Sequence, residues 1–295
     1  AWRNLAAIEY SAFHDIPLTQ KYMERARVFA PAGEKQIAFE SAYLMAKTGE
    51  QPCKIVSYLE HTGYDRDDLT VELARAYNHA DMPEDAIRTL LARKFVACEG
   101  GEHYIADEYM YAWYSIGAKR FREGDFEGAR QAFVSAQTLP QSLGSGLWNE
   151  TKLVPFRYFE AACLKALGRA EEAKSIYRSF LKYRCDYFSD MYLISLAYFV
   201  GRAYEELGEA DKGVTLVQRR LKELEAELNK QDTGYFGTTP FFLVFVDEPS
   251  LARKQYYSYP LYLFSRFLHD DARAERYGKI LQGETYGLYI QDFTI

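Results

Sequence analysis

The side chains best suited to bind a metal ion or attack a substrate are the histidines and cysteines, but their spacing suits neither task. No two histidines form an HExxH or His-x₃-His arrangement, and none lies near a cysteine at metal-ligand spacing. The histidines are His14, His61, His79, His103 and His269. Cys53, Cys98, Cys163 and Cys185 are scattered without a CxxC pair, as expected of free thiols in a reducing compartment. We therefore expect neither a metal site nor a cofactor.

Paired carboxylates are the other candidates for chemistry, because a glycosidase needs two of them held roughly 5–10 Å apart across a sugar. Such pairs occur at Asp67–Asp68, Glu171–Glu172, Glu205–Glu206 and Asp270–Asp271. All of them fall at expected helix starts or on helix faces, where solvated charge is ordinary. The chain also lacks a GxSxG nucleophile turn and a glycine-rich phosphate loop. The sequence thus predicts no catalytic residues and a protein that is not an enzyme.

The overall charge and hydropathy limit the partner classes. The formal net charge is −6 and no basic run occurs, which argues against nucleic acid as the main partner. The most apolar stretch, Phe241 to Val246, is far shorter than the roughly 18 residues needed to span a membrane. The first residues show no signal-peptide pattern, so we expect a cytoplasmic protein. The chain opens with Ala1 rather than Met, which is compatible with a longer parent protein.

A short phrase recurs along the chain: a helix-stopping residue, a few polar residues, and then a small residue five positions after the first. The copies begin at Gly49, Asp81, Gly124, Gly168, Gly208 and, in a weaker form, His269. Glycine tolerates a positive φ and ends a helix at its C′ position, whereas Asp, Glu or Pro suits the first turn of the next helix. The phrase therefore predicts a repeated helix–turn–helix unit. Unequal intervals between the copies indicate helices of variable length.

The hydrophobic periodicity on both sides of these turns is helical. Before Asp81, the residues Leu69, Leu73 and Tyr77 fall on one helix face, and Ala86 begins a second apolar face after the turn. The sequence therefore predicts an all-α protein of about fourteen helices. We expect a single domain over residues 1–295. Its one irregular connection is 231–249, where Gly, Thr and Pro interrupt the helical pattern.

The repeated unit resembles the tetratricopeptide repeat (TPR) family, in which large and small residues alternate at fixed places in two helices. The strongest copy consists of Trp113, Ile116, Gly117, Gly124, Phe126, Ala129, Phe133 and Ala136. Further matches are Leu73, Ala74, Tyr77, Ala86 and Leu90 in the preceding unit and Val200, Gly201, Tyr204, Gly208 and Val217 in a later one. The resemblance implies a right-handed α–α superhelix, a TPR-like solenoid of about six to seven helix pairs.

A narrower resemblance adds a biological context. The segments Trp2–Ala6, Cys98–Glu102 and Leu139–Gly146 look like the C-terminal repeat region of a family of large bacterial proteins. In that family a β-rich domain of unknown function, similar to aldose-epimerase-like sandwiches, precedes the repeats. The resemblance implies a link to carbohydrate, and it identifies the β-rich domain as a partner for the repeats.

Two groups of residues are candidates for partner binding. When the repeats are aligned on the residue that begins each turn, aromatic and Arg residues recur at two positions in the first helix of each pair. In TPR proteins, the residues at these positions line the concave groove. These residues are Phe39, Tyr43, Arg75, Tyr114, Tyr158, Tyr198, Arg202 and Tyr259. The second group lies on two loops that are longer than a TPR turn requires, and it comprises Glu99, Glu102 and Trp148. For both groups the alternative is structural, with the rings packing between neighbouring helices and the loops ending helices.

The favoured function is therefore a non-catalytic scaffold that binds a protein, a peptide or the β-rich domain. Tyrosine and arginine together suit such a role, because they offer ring faces, hydrogen bonds and a delocalised cation. Those same side chains suit sugars, so the alternative is an accessory glycan-recognition region of a carbohydrate-active bacterial protein. The first hypothesis predicts a broad groove lined by these tyrosines, whereas the glycan hypothesis predicts that aromatic side chains and Asp, Glu or Asn side chains converge in one cleft.

Overall fold

The structure is a computed structural model. It describes residues 1–31, 34–96, 102–144, 146, 149–186, 193–230 and 249–281. Within these ranges the chain forms fourteen α-helices and no strand, which confirms the all-α prediction. A π-helical turn at Glu9–Phe13 follows the first helix, and short 3₁₀ turns lie at Gln141–Leu143 and Glu150–Leu153.

The helices are numbered in chain order. They are α1 (Trp2–Ile8), α2 (Ile16–Phe29), α3 (Lys35–Lys47), α4 (Pro52–Thr62), α5 (Asp67–His79), α6 (Pro83–Leu91), α7 (Glu102–Arg122), α8 (Phe126–Ala136), α9 (Val154–Ala166), α10 (Ala170–Phe180), α11 (Leu196–Glu206), α12 (Ala210–Leu228), α13 (Pro249–Phe267) and α14 (Asp271–Leu281).

The residues that begin the recurring phrase all adopt the left-handed conformation. The values of φ are 79° at Gly49, 83° at Gly124, 77° at Gly168 and 81° at Gly208. The two copies without glycine do the same, with φ of 58° at Asp81 and 55° at His269. A residue in this conformation reverses the chain at the end of a helix and satisfies its last carbonyl groups. The predicted turn register is therefore confirmed at every copy.

The chain divides into two compact units. The first consists mainly of Ala1–Ala92 and the second mainly of Arg93–Lys230 and the chain from Lys254 to the end of α14. The prediction of a single domain over residues 1–295 stays a prediction.

In the first unit, helices that follow one another in sequence pack against one another. Pairs α1–α2, α3–α4 and α5–α6 are antiparallel hairpins, and the first helices α3 and α5 also touch. Their core is aliphatic, with Leu59, Leu69, Leu73 and Leu90 fully buried. The periodicity found in the sequence therefore identifies the buried face of α5 correctly.

In the second unit, α7–α8, α9–α10 and α11–α12 form the same sequential hairpins, and the first helices α9 and α11 contact each other. The core is aromatic here. Phe133, Phe159, Phe180, Phe199 and Phe264 are all fully buried, each from a different helix. Sequential hairpins with touching first helices are the packing of a TPR-like solenoid, so the predicted fold class is confirmed.

Glycine allows the two helices of a pair to approach closely at α11 and α12. A Cβ atom on Gly213 would lie 2.7 Å from the carbonyl oxygen of Gly201, and one on Gly201 would lie 2.7 Å from Cγ2 of Val217. In the pair α7–α8, a Cβ on Gly117 would lie 2.7 Å from the buried ring of Phe133. These are the small-residue positions of the TPR pattern, so the pattern reflects helix proximity.

The described helices contain none that is long and apolar enough to cross a membrane. Among the described cysteines, Cys163 and Cys185 are buried free thiols, whereas Cys53 is exposed. The two buried thiols therefore serve as small apolar side chains. Cys98 lies outside the described residues.

Candidate interaction surface

In the first unit, the predicted aromatic positions lie one helical turn apart on α3. The ring centroids of Phe39 and Tyr43 are 6.4 Å apart and the rings are nearly parallel. Tyr43 is 8% exposed, while Phe39 is half-buried. The ammonium group of Lys47 lies 5.9 Å from the centre of the Tyr43 ring, within range of a cation–π contact. This part of α3 therefore packs its two rings side by side and places a cation next to them.

Arg75 on α5 is largely enclosed. Its guanidinium group lies 3.3 Å from a carboxylate oxygen of Glu72, and the two side chains are only 12% and 2% exposed. His79 follows one turn later, and burial lowers its pKa to about 4, with the charge of Arg75 acting in the same direction. At neutral pH this stretch of α5 therefore holds a compensated charge pair and an uncharged imidazole.

In the second unit, the three central tyrosines of the predicted ladder belong to the core. Tyr114 is 8% exposed, and Tyr158 and Tyr198 are each 9% exposed. Tyr259 on α13 is half-buried and packs against the same core. Most of each ring is therefore occupied by contacts within the unit.

The neighbours of these tyrosines are other aromatic rings. Tyr114 contacts Phe159 at a centroid distance of 5.4 Å, and Tyr158 contacts Phe199 at 5.7 Å. Tyr198 contacts Phe199 at 5.3 Å and Phe267 at 6.3 Å. Several of these pairs have the tilted or edge-on geometry that aromatic rings prefer. The rings thus connect α7, α9, α11 and α13 through one continuous aromatic core.

Arg202 is the most accessible member of the ladder in this unit. Its side chain is 41% exposed, and Nη1 donates to a carboxylate oxygen of Glu205 at 2.7 Å. Its positive charge also acts on the hydroxyl group of Tyr158. Burial raises the pKa of the Tyr158 phenol, although the positive charge of Arg202 acts in the opposite direction. The phenol therefore stays protonated at neutral pH.

Two further polar contacts lie on the same first helices and were not predicted. Nζ of Lys165 on α9 donates to a carboxylate oxygen of Glu206 on α11 at 2.7 Å, which ties neighbouring pairs together. On α13, Nη1 of Arg266 donates to the hydroxyl group of Tyr262 at 3.2 Å. Aligned on the turn residues, Lys165 and Arg266 occupy the same position, and this alignment could have identified them from the sequence.

The two predicted edge loops fall partly outside the described residues. Glu99 and Trp148 lie there, as does the side chain of Glu102, whose backbone begins α7. The described parts of the two loops do meet, because the backbone N–H of Phe95 donates to the carbonyl group of Ser142 at 2.8 Å. The role of these loops as a docking edge stays a prediction.

The second unit also contains two surface clefts that were not predicted. The larger, with a volume of about 450 Å³, lies between α11, α12 and the segment after α10. It is lined by Tyr183, Arg184, Val200, Tyr204, Asp211, Lys212, Thr215, Leu216 and Arg219. The smaller, of about 270 Å³, lies between α8, α9 and α10 and is lined by Arg130, Glu160, Leu164, Arg169, Glu172, Ser175 and Ile176.

The described residues include no group of three or more His, Cys, Asp or Glu side chains that could hold a metal ion.

Searches of protein-family models and of curated proteins find no match to this chain. Among solved structures, the chain is similar to a kinesin light chain protein of Podosopora anserina with nearly identical TPR-like repeats. The two are 13% identical, with a TM-score of 0.38, over 69% of this chain and 100% of that one. A similarity this distant adds no argument, so the fold assignment rests on the helix pairing and the turn geometry.

Proposed function

We propose that this chain is a non-catalytic protein-interaction module that binds a partner along the first helices of its second unit. The observation that carries the proposal is the arrangement at Arg202. There the carboxylate of Glu205 holds a guanidinium group at the surface, beside the aromatic core that contains Tyr158 and Tyr198. An arginine fixed in this way loses little conformational entropy on binding, which is a property of interface hot spots.

The burial of the tyrosine rings favours a protein or peptide over a glycan. Sugar recognition by stacking needs exposed aromatic faces, whereas Tyr158 and Tyr198 are each only 9% exposed. The guanidinium groups of Arg202 and Arg266 suit the carbonyl and carboxylate groups of a polypeptide. The β-rich domain implied by the narrower resemblance is one partner of this kind.

The test uses affinity capture followed by quantitative mass spectrometry, with the full chain as bait. Replacement of all the tyrosines by Ala would remove the core, so the informative change is Arg202→Ala. We expect it to weaken capture of the specifically enriched protein roughly tenfold, as for other interface arginines. Tyr158→Phe should weaken it less, because it leaves the guanidinium group and its ion pair with Glu205 in place.

Arg273→Ala is the matched control. Arg273 is 46% exposed and is ion-paired with Asp270 three residues before it, much as Arg202 is with Glu205, but it lies on the second helix α14. Equal capture by wild type and Arg202→Ala would refute the proposal that the partner binds along the first helices of the second unit (the first-helix surface). Failure of the wild-type chain to enrich any protein over a denatured bait would refute the interaction module itself.

A further inference from the structure

The two clefts of the second unit are the same groove in consecutive helix pairs. When Gly168 is aligned with Gly208, Leu164 corresponds to Tyr204 and Glu172 to Lys212. The same alignment relates Glu160 to Val200, Ser175 to Thr215 and Ile176 to Leu216, and each of these residues lines its own cleft. The backbone frame is thus repeated, and the two clefts differ in their side chains.

Their charges differ in particular. The smaller cleft has a balanced lining of two arginines and two glutamates, Arg130, Arg169, Glu160 and Glu172. In the larger cleft Glu160 is replaced by Val200 and Glu172 by Lys212. Its lining therefore contains three cations, Arg184, Lys212 and Arg219, and a single carboxylate, Asp211. In a chain whose net charge is −6, this local excess of positive charge points to an anionic group on the partner.

The cations sit at the rim on supports that leave them accessible. Nη2 of Arg219 donates to the backbone carbonyl groups of Arg184 and Cys185 at 3.1 and 3.3 Å, which fixes its position across the cleft. Each cation also has an acidic neighbour: Lys212 pairs with Glu209, Arg184 lies 3.5 Å from Asp186, and Nε of Arg219 lies 3.8 Å from a carboxylate oxygen of Glu223. None of these acidic partners lines the cleft, and exposed pairs of this kind are worth at most about 1 kcal/mol, so an incoming carboxylate can compete for the cations.

The floor of the larger cleft is apolar and aromatic. Val200 and Leu216 supply aliphatic surface, and the half-buried side chains of Tyr183 and Tyr204 supply ring surface. The volume of about 450 Å³ is enough for one large apolar side chain and a neighbouring carboxylate. The lining thus favours a ligand that carries both a large apolar side chain and a neighbouring carboxylate.

We propose that this cleft docks an acidic peptide segment of a partner protein, with an apolar side chain on the floor and carboxylates against Arg184, Lys212 and Arg219. The site lies between α11, α12 and the segment after α10. Arg202, which carries the function proposed above, also belongs to α11 but does not line this cleft, so the two proposals are independent.

The test measures fluorescence anisotropy of fluorescein-labelled decapeptides in which Leu or Phe alternates with Glu, using the full chain at low salt. The matched peptides carry Gln or Lys in place of Glu. We expect the Glu peptides to bind at least about tenfold more tightly than the Gln peptides, with affinity falling as salt is added, because charge complementarity drives the contact. Equal binding of the Glu and Gln peptides would overturn the proposal.

Two variants locate the site. Lys212→Glu installs the residue that the equivalent cleft carries, and Thr215→Trp fills the cleft from an exposed position. Both should reduce binding of the Glu peptides by about tenfold or more. Lys174→Glu makes the same charge change at a lysine that lines neither cleft, and it should leave binding within about twofold of wild type.

Each other outcome contradicts the proposal. An equal loss in Lys174→Glu and Lys212→Glu would mean that only net charge matters. Self-association of the chain that Lys212→Glu abolishes would make a second copy the occupant. Circular dichroism and melting temperature unchanged from wild type establish that a variant has kept its fold. Because Arg202 does not line the cleft, Arg202→Ala should leave peptide binding unchanged, so failure of this site and failure of the first-helix surface are distinguishable.

Discussion

The close approach of α11 and α12 provides the sharpest test of the helix packing, through the substitution Gly213→Ala. The added Cβ would lie 2.7 Å from the backbone oxygen of Gly201 and 3.3 Å from Cβ of Tyr204. Carbon–oxygen contacts without a covalent bond lie at roughly 3.3–3.6 Å, so the two helices would have to separate by about 0.6 Å or more. The obstacle is backbone, which cannot turn aside as a side chain can.

Two opposing effects set the magnitude. Overpacking in a tightly packed interior costs roughly 1–3 kcal/mol. Replacement of a helical glycine by alanine gains roughly 0.8–1.0 kcal/mol in helix propensity. We therefore expect Gly213→Ala to lower the free energy of unfolding of the second unit by up to about 2 kcal/mol.

Gly278→Ala on α14 is the matched control, because its Cβ would lie 3.5 Å from the ring of Tyr262 in ordinary contact. It gains the same propensity without the clash, so it should stabilise the same unit by up to about 1 kcal/mol. Urea unfolding followed by far-ultraviolet circular dichroism compares the two variants. A Gly213→Ala protein that equals or exceeds Gly278→Ala in stability would refute the packing of α11 on α12.

Three further predictions follow from single residues. Asp81→Gly should raise the free energy of unfolding by about 0.5–1 kcal/mol, because glycine adopts the left-handed φ of 58° found at Asp81 without the steric cost of a side chain. Urea unfolding measures this change, and a variant without any gain in stability would contradict the turn. Burial lowers the pKa of His79 to about 4, so the unfolded chain binds the extra proton between pH 6.5 and pH 4. The free energy of unfolding of the wild type should therefore fall by up to roughly 3 kcal/mol as the pH drops through this window, and that of His79→Gln should fall by less. An identical pH dependence of wild type and His79→Gln would contradict the role of His79. Maleimide should label Cys53 rapidly in the native chain, but Cys163 and Cys185 only after unfolding, because the last two are buried. Peptide mass mapping identifies the labelled cysteines. Rapid labelling of Cys163 in the native chain would contradict its burial.

The fold was predictable because its determinants are local. Glycine at Gly49, Gly124, Gly168 and Gly208 marks the end of a first helix by its backbone freedom, and the apolar period identifies the buried face on each side. Asp81 and His269 extend the register to copies where glycine is absent. In a solenoid each unit contacts mainly its neighbours, so local rules of this kind determine most of the architecture.

The exposure of the tyrosine ladder could not be predicted in the same way. Alignment placed Tyr158 and Tyr198 on the first helices, but their burial depends on rings from the adjacent pairs. The signal in the sequence is the phenylalanine that follows each of them, Phe159 and Phe199, because a first helix that is apolar on two sides has neighbours on both. The distance between neighbouring helix pairs determines how much of each ring stays exposed. The hydrophobic period of a single helix carries no information on that distance.

The larger cleft shows what a repeat frame makes available to function. Because Lys212 and Glu172 occupy equivalent places in two successive copies of one groove, the backbone cannot account for a difference in what the two clefts bind. A charge reversal at an exposed position costs little stability, so one pair can acquire a binding preference while its neighbour keeps a balanced lining. Specificity in such a chain is therefore expected at positions where the repeats disagree. By this reasoning the substitution Lys212→Glu, which makes the two copies alike at this one position, tests the contribution of this charge to recognition while the backbone frame stays the same.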